Sequence, residues 1–229
     1  MSTEPRQLKF FGFIVCLYVA LQLISDVTAG KITAVFGFPV SVTVLYFPMT
    51  YIFADILTEV YGYARARSAL WTVLICSVLA GIIYQIAAVL PPAPAFDADQ
   101  AYKRVLGQVP RVLLGGWIAV FAGEILNDFV LAKLKVFSKG RRLWVRTISS
   151  TIVGQFVNTA LFYVIALYAV IPTGLLIQSV LSGWLLKVAV EVVMTPVTYA
   201  VVGALKRIEG IDVYDTQTNF NPLIFRPPW

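Results

Sequence analysis

Residues Ser68 to Leu90 read SALWTVLICSVLAGIIYQIAAVL, an apolar run without a charged side chain. At about 1.5 Å per helical residue, such a run is long enough to cross the roughly 30 Å hydrocarbon core of a bilayer. The whole chain has the same character, because 59% of its 229 residues are hydrophobic and 13% are charged. Soluble domains average about 45–50% apolar and 25% charged residues. The sequence therefore predicts an integral membrane protein.

Further apolar stretches on both sides of this run predict an all-α membrane protein, a single domain of six transmembrane helices. The spans are expected at about residues 9–27, 40–61, 68–90, 110–132, 144–171 and 183–205. Gly37, Phe38 and Pro39 indicate a broken or re-entrant start of the second span, because proline and glycine interrupt helices. Leu175 to Ser182 is predicted as an interfacial helical turn. Residues 91–109 are predicted as an outward loop and residues 208–229 as a short cytoplasmic tail.

The basic residues between the predicted spans fall mainly on one side of the membrane. Thirteen Lys and Arg residues, from Arg6 to Arg226, lie on the side of the two termini, and four lie on the other side. By the positive-inside rule, this imbalance places both termini in the cytoplasm. The same rule explains the net charge of +6 without nucleic-acid binding, and no cleavable signal peptide is evident.

Several kinds of chemistry are excluded or disfavoured by composition. The chain has no histidine, which excludes His-based triads and nearly all imidazole metal sites. Cys16 and Cys76 lie in apolar runs without C-x-x-C spacing and are interpreted as packing residues. No cofactor or metal is predicted. An intramembrane enzyme is a rival interpretation, since paired carboxylates can do acid–base work, but neither G-x-S-x-G nor H-E-x-x-H is present.

Ionisable and amide side chains within the predicted spans are the strongest indication of a functional site, because each costs a few kcal/mol or more in hydrocarbon unless it is paired or hydrated. Glu124, Asn158 and Glu191 are expected to meet near mid-depth, with Gln155 and Lys187 one helical turn away. Lys187 and Glu191 could equally form a structural ion pair, and the amides could join helices. The full set comprises Asp55, Glu59, Glu124, Asn127, Asp128, Gln155, Asn158, Lys187 and Glu191.

Three of these acids, Asp55, Glu59 and Asp128, are predicted near the cytoplasmic ends of their helices. They allow two interpretations. One is an interfacial belt of ion pairs, with snorkelling basic side chains as partners. The other is a role in gating or coupling. The basic residues close enough in sequence to form such a belt are Arg65, Arg67, Lys133 and Lys135.

A carboxylate, amides and aromatic rings at one depth suit a planar, purine-like cargo. A guanine-like edge presents two neighbouring N–H groups that one carboxylate can accept in parallel. Its carbonyl oxygen would take an amide donor from Asn158 or Gln155, and a ring would stack on the base. The candidate stacking rings are Phe121, Phe162 and Trp184.

Five groups of residues resemble the queuosine precursor transporter family, also called the vitamin uptake transporter type. They extend over about residues 20–222 and comprise Asp55-Ile-Leu-Thr-Glu59-Val-Tyr-Gly62, Gly123-Glu-Ile-Leu-Asn127, Trp144 to Thr151 with Gly154-Gln155, Lys187 with Glu191 and Pro196, and Asp212-Val-Tyr-Asp215-Thr. The resemblance implies a six-helix protein of the bacterial inner membrane, similar in fold to the substrate-binding subunits of energy-coupling-factor importers. One departure is Asn158, where the family pattern leads us to expect Asp.

The activity implied by the resemblance is uptake of 7-cyano-7-deazaguanine and 7-aminomethyl-7-deazaguanine, precursors of a modified tRNA base. We therefore predict a transporter working by alternating access. The alternative is a substrate-binding subunit that needs an ATP-driven partner, and a homodimer is left open. The predicted substrate-binding residues are Glu124, Glu191, Asn158, Gln155, Lys187, Asn127, Phe121, Phe162 and Trp184, with Asp55, Glu59 and Asp128 in gating or coupling.

Overall fold

A computed structural model describes residues 8–28, 31–35, 38–107, 110–169 and 172–224. Within them lie helix α1 (Phe11–Thr28), a hairpin of strands β1 (Ile32–Val35) and β2 (Phe38–Ser41), and helices α2 (Pro48–Ile56), α3 (Tyr63–Val89), α4 (Asp99–Leu106), α5 (Pro110–Phe137), α6 (Leu143–Leu167) and α7 (Thr173–Glu209). The strands pair antiparallel, with Ile32 opposite Ser41. A 3-10 turn, Val42–Leu45, precedes α2, and a π-helical turn, Leu57–Tyr61, continues it.

Five of the helices are long and apolar enough to cross a membrane: α1, α3 and most of α5, α6 and α7. Their outer faces carry large apolar side chains. On α3, for example, Ile82, Ile83 and Ile86 are all more than half exposed. A continuous exposed apolar surface of this kind is stable against lipid but not against water. The chain is a multi-pass membrane protein.

The start of α1 and the end of α7 meet at the same end of the bundle. The Glu209 carboxylate accepts hydrogen bonds from the main-chain N–H groups of Lys9 at 3.1 Å and Phe10 at 2.7 Å. These N–H groups precede α1, where a negative charge is favourable. The Tyr61 hydroxyl donates to the same carboxylate at 2.9 Å. We call this end the tail end, because residues 210–224 pack there, and the opposite end the far end.

Residues 46–61 bring the chain back from the far end to the tail end. The Tyr46 hydroxyl contacts Thr28 at the last residue of α1, whereas Tyr61 lies at the tail end. Pro48 begins α2, which suits a residue without an N–H group and with a fixed φ. The continuous second span predicted over residues 40–61 is therefore corrected to a strand, a 3-10 turn, and a helix of nine residues extended by a five-residue π turn. Six continuous spans are not confirmed, and Gly37 lies outside the described residues.

Two connections also differ from prediction. Helix α7 runs unbroken for 37 residues from Thr173, so the separate interfacial turn predicted over residues 175–182 is wrong. Gly183 does not end the helix, since one interior glycine costs only about 1 kcal/mol. The predicted loop over residues 91–109 contains α4, an exposed helix with an Asp99–Lys103 ion pair of 2.6 Å.

The core is densest towards the tail end, where α1, α2, the π turn, the start of α3 and the end of α7 pack together. Leu57 and Val60 of the π turn are completely buried in this core. The polar side chains of the site lie beside this core, between α2, α5, α6 and α7.

Candidate functional site

The site is built on a close crossing of α5 and α6 at two glycines. A Cβ atom on Gly123 would lie 2.5 Å from the Asn158 Cβ, and one on Gly154 would lie 2.6 Å from the Asn127 Cβ. Small residues of this kind let membrane helices approach until their backbones touch. The crossing therefore places Asn158 of α6 level with Gly123 and Asn127 of α5 level with Gly154, so that the two asparagines lie one helical turn apart.

Four of the predicted site residues form one hydrogen-bonded group at this crossing, which we call the central cluster. Gln155 Nε2 donates to Glu124 Oε1 at 3.1 Å. From α7, Lys187 Nζ donates to Gln155 Oε1 at 3.2 Å and to Asn158 Oδ1 at 2.8 Å. Glu124, Gln155 and Asn158 are all buried. The central cluster thus links three helices through a carboxylate, two amides and an ammonium group.

Glu191 lies one helical turn beyond Lys187 on α7, but the two do not form the ion pair that the sequence allowed. Lys187 donates to the two amides of α6 instead, and the ion pairs among the described residues include none between Lys187 and Glu191. Glu191 is 2% exposed. Its Oε1, like Glu124 Oε2, has no hydrogen-bond partner among the described residues. Buried oxygens without partners are costly, by about 1–3 kcal/mol or more for a charged group.

A cavity of about 100 Å³ lies beside Lys187, between α2 and α7. The Lys187 ammonium stands 5.9 Å from the ring centre of Phe47 and 5.6 Å from that of Tyr51, which is within the range of cation–π attraction. Tyr51 also has a buried hydroxyl without a partner among the described residues. The cavity is lined by Thr43, Phe47, Pro48, Tyr51, Leu186, Lys187 and Val190.

The three aromatic residues predicted to stack on a cargo make other contacts. The Phe121 ring lies 4.9 Å from that of Trp71 on α3, and the Phe162 ring lies 5.6 Å from that of its neighbour Tyr163. Trp184 packs 5.6 Å from Phe156, which is 44% exposed. The Trp184 indole N–H also donates to a main-chain oxygen of α6 at 2.9 Å. Sequence reasoning missed Phe47 and Tyr51, since the aromatic residue type does not reveal which helix face meets the cavity.

Two further acids, Asp55 and Asp128, form a second buried level closer to the tail end. Asn127 Nδ2 donates to Asp55 Oδ1 at 2.7 Å, and the Thr58 hydroxyl donates to Asp128 Oδ1 at 2.6 Å. Both acids are at most 1% exposed. Their partners in the structure are neutral, and the ion pairs of the described residues include neither acid.

The predicted belt of ion pairs is therefore wrong for these two acids, because the expected cations have other partners. Arg65 donates to the main-chain oxygen of Tyr61 at 3.2 Å. Arg67 donates to two main-chain oxygens of the C-terminal tail at 2.7 and 2.8 Å. The Lys133 ammonium lies 4.0 Å from the ring centre of Phe220.

Glu59 is the predicted gating acid that does pair with cations, in what we call the ion cluster. Its Oε1 accepts hydrogen bonds from Lys206 Nζ at 2.6 Å and Arg146 Nη2 at 2.7 Å. The ammonium of Lys135 lies 3.6 Å from the same oxygen and donates to the Glu59 main-chain oxygen at 2.5 Å. Glu59 lies in the π turn and is completely buried. A buried carboxylate in this position is stable because three cations surround it.

Asp212 extends the ion cluster into the tail. Its Oδ1 lies 2.5 Å from Lys135 Nζ and 2.8 Å from Lys206 Nζ. Burial alone would favour the neutral acid, but the hydrogen bonds from the two lysines outweigh it and lower the pKa of the Asp212 carboxyl below its ordinary value. The ion cluster therefore joins the π turn, α5, α6, α7 and the tail at the tail end.

The tail beyond Asp212 packs against the start of α3, where sequence reasoning expected only a polar extension. The Asp215 carboxylate accepts a hydrogen bond from the Tyr63 N–H at the first residue of α3, with distances of 3.0 and 3.2 Å to its two oxygens. The Tyr63 hydroxyl donates to the Phe220 oxygen at 3.1 Å. Gly62 precedes α3 with a φ of 86°, and a Cβ there would lie 2.6 Å from Val213 Cγ1. Only glycine fits this junction without strain.

The chain matches the model of a family described as "Putative vitamin uptake transporter" over residues 41–201. The matched range contains the central cluster, the cavity and both buried levels of acids. The chain belongs to the vitamin uptake transporter family. The resemblance inferred from the sequence motifs is thereby confirmed, and membership of this family identifies the chain as a transporter.

A relative from Bacillus subtilis (strain 168), named "Probable queuosine precursor transporter", is 30% identical to the chain over 182 residues. The aligned part covers 79% of the chain and 76% of the relative. No solved structure matches the chain. The predicted similarity of this vitamin uptake transporter family member to the substrate-binding subunits of energy-coupling-factor importers therefore stays a prediction.

One sequence pattern could have located the crossing. Helix α5 carries Gly123-Glu-Ile-Leu-Asn127, and α6 carries Gly154-Gln-Phe-Val-Asn158. Both have the form G-[E/Q]-x-x-N, which puts a glycine and an asparagine one turn apart on the same helix face. In the structure each glycine faces the asparagine of the other helix.

Proposed function

We propose that the chain imports a precursor of queuosine, 7-cyano-7-deazaguanine or 7-aminomethyl-7-deazaguanine, by alternating access. Family membership and the name of the Bacillus subtilis relative support the class of cargo. The observation that carries the proposal is the pair of carboxylate oxygens, Glu124 Oε2 and Glu191 Oε1, that are buried without a hydrogen-bond partner among the described residues. A cargo rich in N–H groups would satisfy them.

In this proposal the carboxylates bind the donor edge of the base. The ring N–H and the neighbouring amino group of a guanine-like edge would donate to Glu124 or Glu191, and charge-assisted bonds of this kind are about twice as strong as neutral ones. Lys187 holds the oxygens of the two α6 amides. The Asn158 Nδ2 group is therefore oriented for donation to the carbonyl oxygen of the base.

Phe47 and Tyr51 are the proposed stacking residues, because they line the cavity beside Lys187. Phe121, Phe162 and Trp184, the rings proposed from the sequence, pack against other rings. Asn127, also proposed from the sequence, supports the site from the second level by its bond to Asp55.

The charge of Lys187 also bears on the choice of precursor. The family pattern leads us to expect Asp at the position of Asn158, which here provides a neutral oxygen to the ammonium group. The positive charge beside the cavity is therefore less compensated and disfavours a cationic aminomethyl group. We expect uptake of the nitrile to exceed uptake of the aminomethyl precursor.

The proposed location is the inner (plasma) membrane of a bacterium, with the tail end on the cytoplasmic side. The excess of Lys and Arg in the connections at that end supports this orientation. The proposed transporter acts without an ATP-driven partner.

The proposal is tested by measuring queuosine in the tRNA of a bacterial strain that cannot make its precursors, with each precursor supplied at low concentration. The chain should restore queuosine. Glu124→Gln should lower uptake by about 10- to 150-fold, the equivalent of one charge-assisted hydrogen bond of about 1.5–3 kcal/mol. Asp99→Asn, on the exposed helix α4, is the control and should transport normally.

Two results would contradict the proposal. One is full restoration of queuosine by Glu124→Gln at equal protein levels. The other is a failure of the wild-type chain to restore it with either precursor. Uptake by the purified chain in liposomes decides between the transporter and the ATP-driven alternative, since the latter predicts no transport without a second protein.

A further inference from the structure

Four carboxylic acids share the buried interior of the bundle with a single ammonium group. Asp55, Glu124, Asp128 and Glu191 are each at most 3% exposed. Among the described residues, the cation that hydrogen-bonds within this group is Lys187, through Gln155 and Asn158. The cations of the ion cluster are engaged by Glu59 and Asp212.

The four acids cannot all be ionised in this environment. Each uncompensated charge inside a membrane protein costs several kcal/mol, and one ammonium group compensates only one of them. Protonation removes the cost, because a neutral acid needs hydrogen-bond partners but no counter-charge. The interior must therefore bind protons.

Asp55 and Glu191 are the two acids placed to share a proton. Lys187 on α7 stands over the Tyr51 ring on α2, and Asp55 and Glu191 each follow one turn further along the same two helices. The two carboxyl groups lie close enough for their charges to influence each other. Asp55 Oδ2 and Glu191 Oε1 have no hydrogen-bond partner among the described residues, whereas Asp55 Oδ1 is held by Asn127.

We propose that Asp55 carries a proton that enters and leaves together with the cargo, which makes the protein a proton symporter. This inference rests on the proposed function. Glu191 must be ionised to accept N–H groups of the base, and the charge of an ionised Asp55 would disfavour the charge on Glu191. Cargo therefore binds after a proton has bound to Asp55 Oδ2. The proton is released to water on the other side once the cargo has left.

The groups facing Asp55 favour a proton over a metal cation. Tyr18 of α1, Glu124 and Asp128 of α5 and Glu191 of α7 all interact electrostatically with it. Among the described residues, however, no three Asp, Glu, His or Cys side chains are grouped so that they could hold a metal ion. A proton needs only one carboxylate oxygen, and Asp55 Oδ2 is without a hydrogen-bond partner among the described residues.

The test uses the purified full chain in liposomes with radiolabelled 7-cyano-7-deazaguanine. Two activities are measured: counterflow at equal pH on both sides, which reports cargo binding and passage, and accumulation driven by an inward pH gradient, which reports coupling. The wild-type protein should accumulate the label when a pH gradient is present, and this accumulation should disappear when a protonophore is added. Adding unlabelled cargo should raise the external pH as protons enter.

Asp55→Asn imitates the permanently protonated acid. Its counterflow should stay at the wild-type level, whereas its gradient-driven accumulation should fall at least tenfold. Adding unlabelled cargo should leave the external pH unchanged. Asp26→Asn is a matched control, since Asp26 is a half-buried carboxylate on α1 that accepts hydrogen bonds from Gln22 and Ser77. It should keep both activities.

Three results overturn the proposal. The first is accumulation by the wild-type protein that depends on a sodium gradient and not on pH, and the second is gradient-driven accumulation by Asp55→Asn at the wild-type level. The third is loss of both counterflow and accumulation in Asp55→Asn, which would make Asp55 part of the cargo anchor. Absence of counterflow in the wild-type protein contradicts the proposed function itself. Counterflow without accumulation driven by a pH gradient contradicts only the proton coupling.

Discussion

The crossing of α5 and α6 predicts that Gly154→Ala damages both stability and transport. The new Cβ would lie 2.6 Å from the Asn127 Cβ and 2.8 Å from the Gly123 oxygen, whereas ordinary contacts begin at 3.4 Å. Both neighbours are helix backbone or attached directly to it, so the helices themselves must separate, by about 0.8 Å in a close-packed interior. Overpacking of this kind costs about 1–3 kcal/mol.

The same separation weakens the central cluster. The Gln155–Glu124 hydrogen bond is 3.1 Å long, and moving the helices apart by about 0.8 Å lengthens it towards 4 Å, beyond hydrogen-bond range. We therefore expect the apparent affinity for cargo to fall along with stability. At about 2–4 °C per kcal/mol for a chain of this size, the melting temperature should drop by several degrees.

The assay compares melting temperature in detergent and the KM of uptake for Gly154→Ala, for Gly123→Ala and for the control Gly116→Ala. Gly116 is on α5, and a Cβ there meets nothing within 4 Å. The control should therefore be neutral, or more stable by up to about 1 kcal/mol through helix propensity. If Gly154→Ala melts and transports like Gly116→Ala, the close crossing does not position the central cluster.

Three further predictions concern the remaining contacts. Glu59→Gln leaves Arg146 and its neighbouring lysines without their buried carboxylate, so the free energy of unfolding in detergent should fall by about 3–5 kcal/mol. An unchanged melting temperature would contradict this prediction. Asp215→Ala removes the acceptor for the Tyr63 N–H at the start of α3 and should cost about 1 kcal/mol, measured as increased proteolysis of the tail; equal cleavage of the variant and wild type would argue against it. Trp184→Phe loses one hydrogen bond, about 0.5–1.5 kcal/mol, but should keep the wild-type KM of uptake, and a tenfold rise in KM would restore Trp184 as a stacking residue.

The long helices could be predicted from the sequence because length and apolar composition decide them. Residues 68–90 are one example, and α3 contains all but the last of them. The second span could not be predicted in the same way. Residues 40–61 have the composition of a membrane helix, but Pro48 fixes where the helix can begin, and the preceding residues form a strand and a 3-10 turn.

The meeting of Glu124, Gln155, Asn158 and Lys187 could also be expected from the sequence, since polar groups at similar depth avoid lipid by facing one another. Which of these side chains form hydrogen bonds with each other could not be predicted. That choice depends on the rotation of α7 about its axis, which turns Lys187 towards the amides of α6. Rotation and tilt are set by packing, and the glycine crossing of α5 and α6 fixes the surface against which α7 packs.

The two kinds of buried acid in this protein differ in how their charge is balanced. Glu59 is surrounded by Arg146, Lys206 and Lys135, so its charge holds four chain segments together at the tail end. Any passage of cargo through that end must separate these groups, and each hydrogen bond to a charged group contributes about 1.5–3 kcal/mol. Asp55, one turn earlier, accepts a hydrogen bond from the neutral amide of Asn127 and forms no ion pair within the described part of the chain. A buried ionised acid without a counter-charge is destabilising while the site is empty. In membrane proteins such acids occur where a proton or a ligand neutralises the charge.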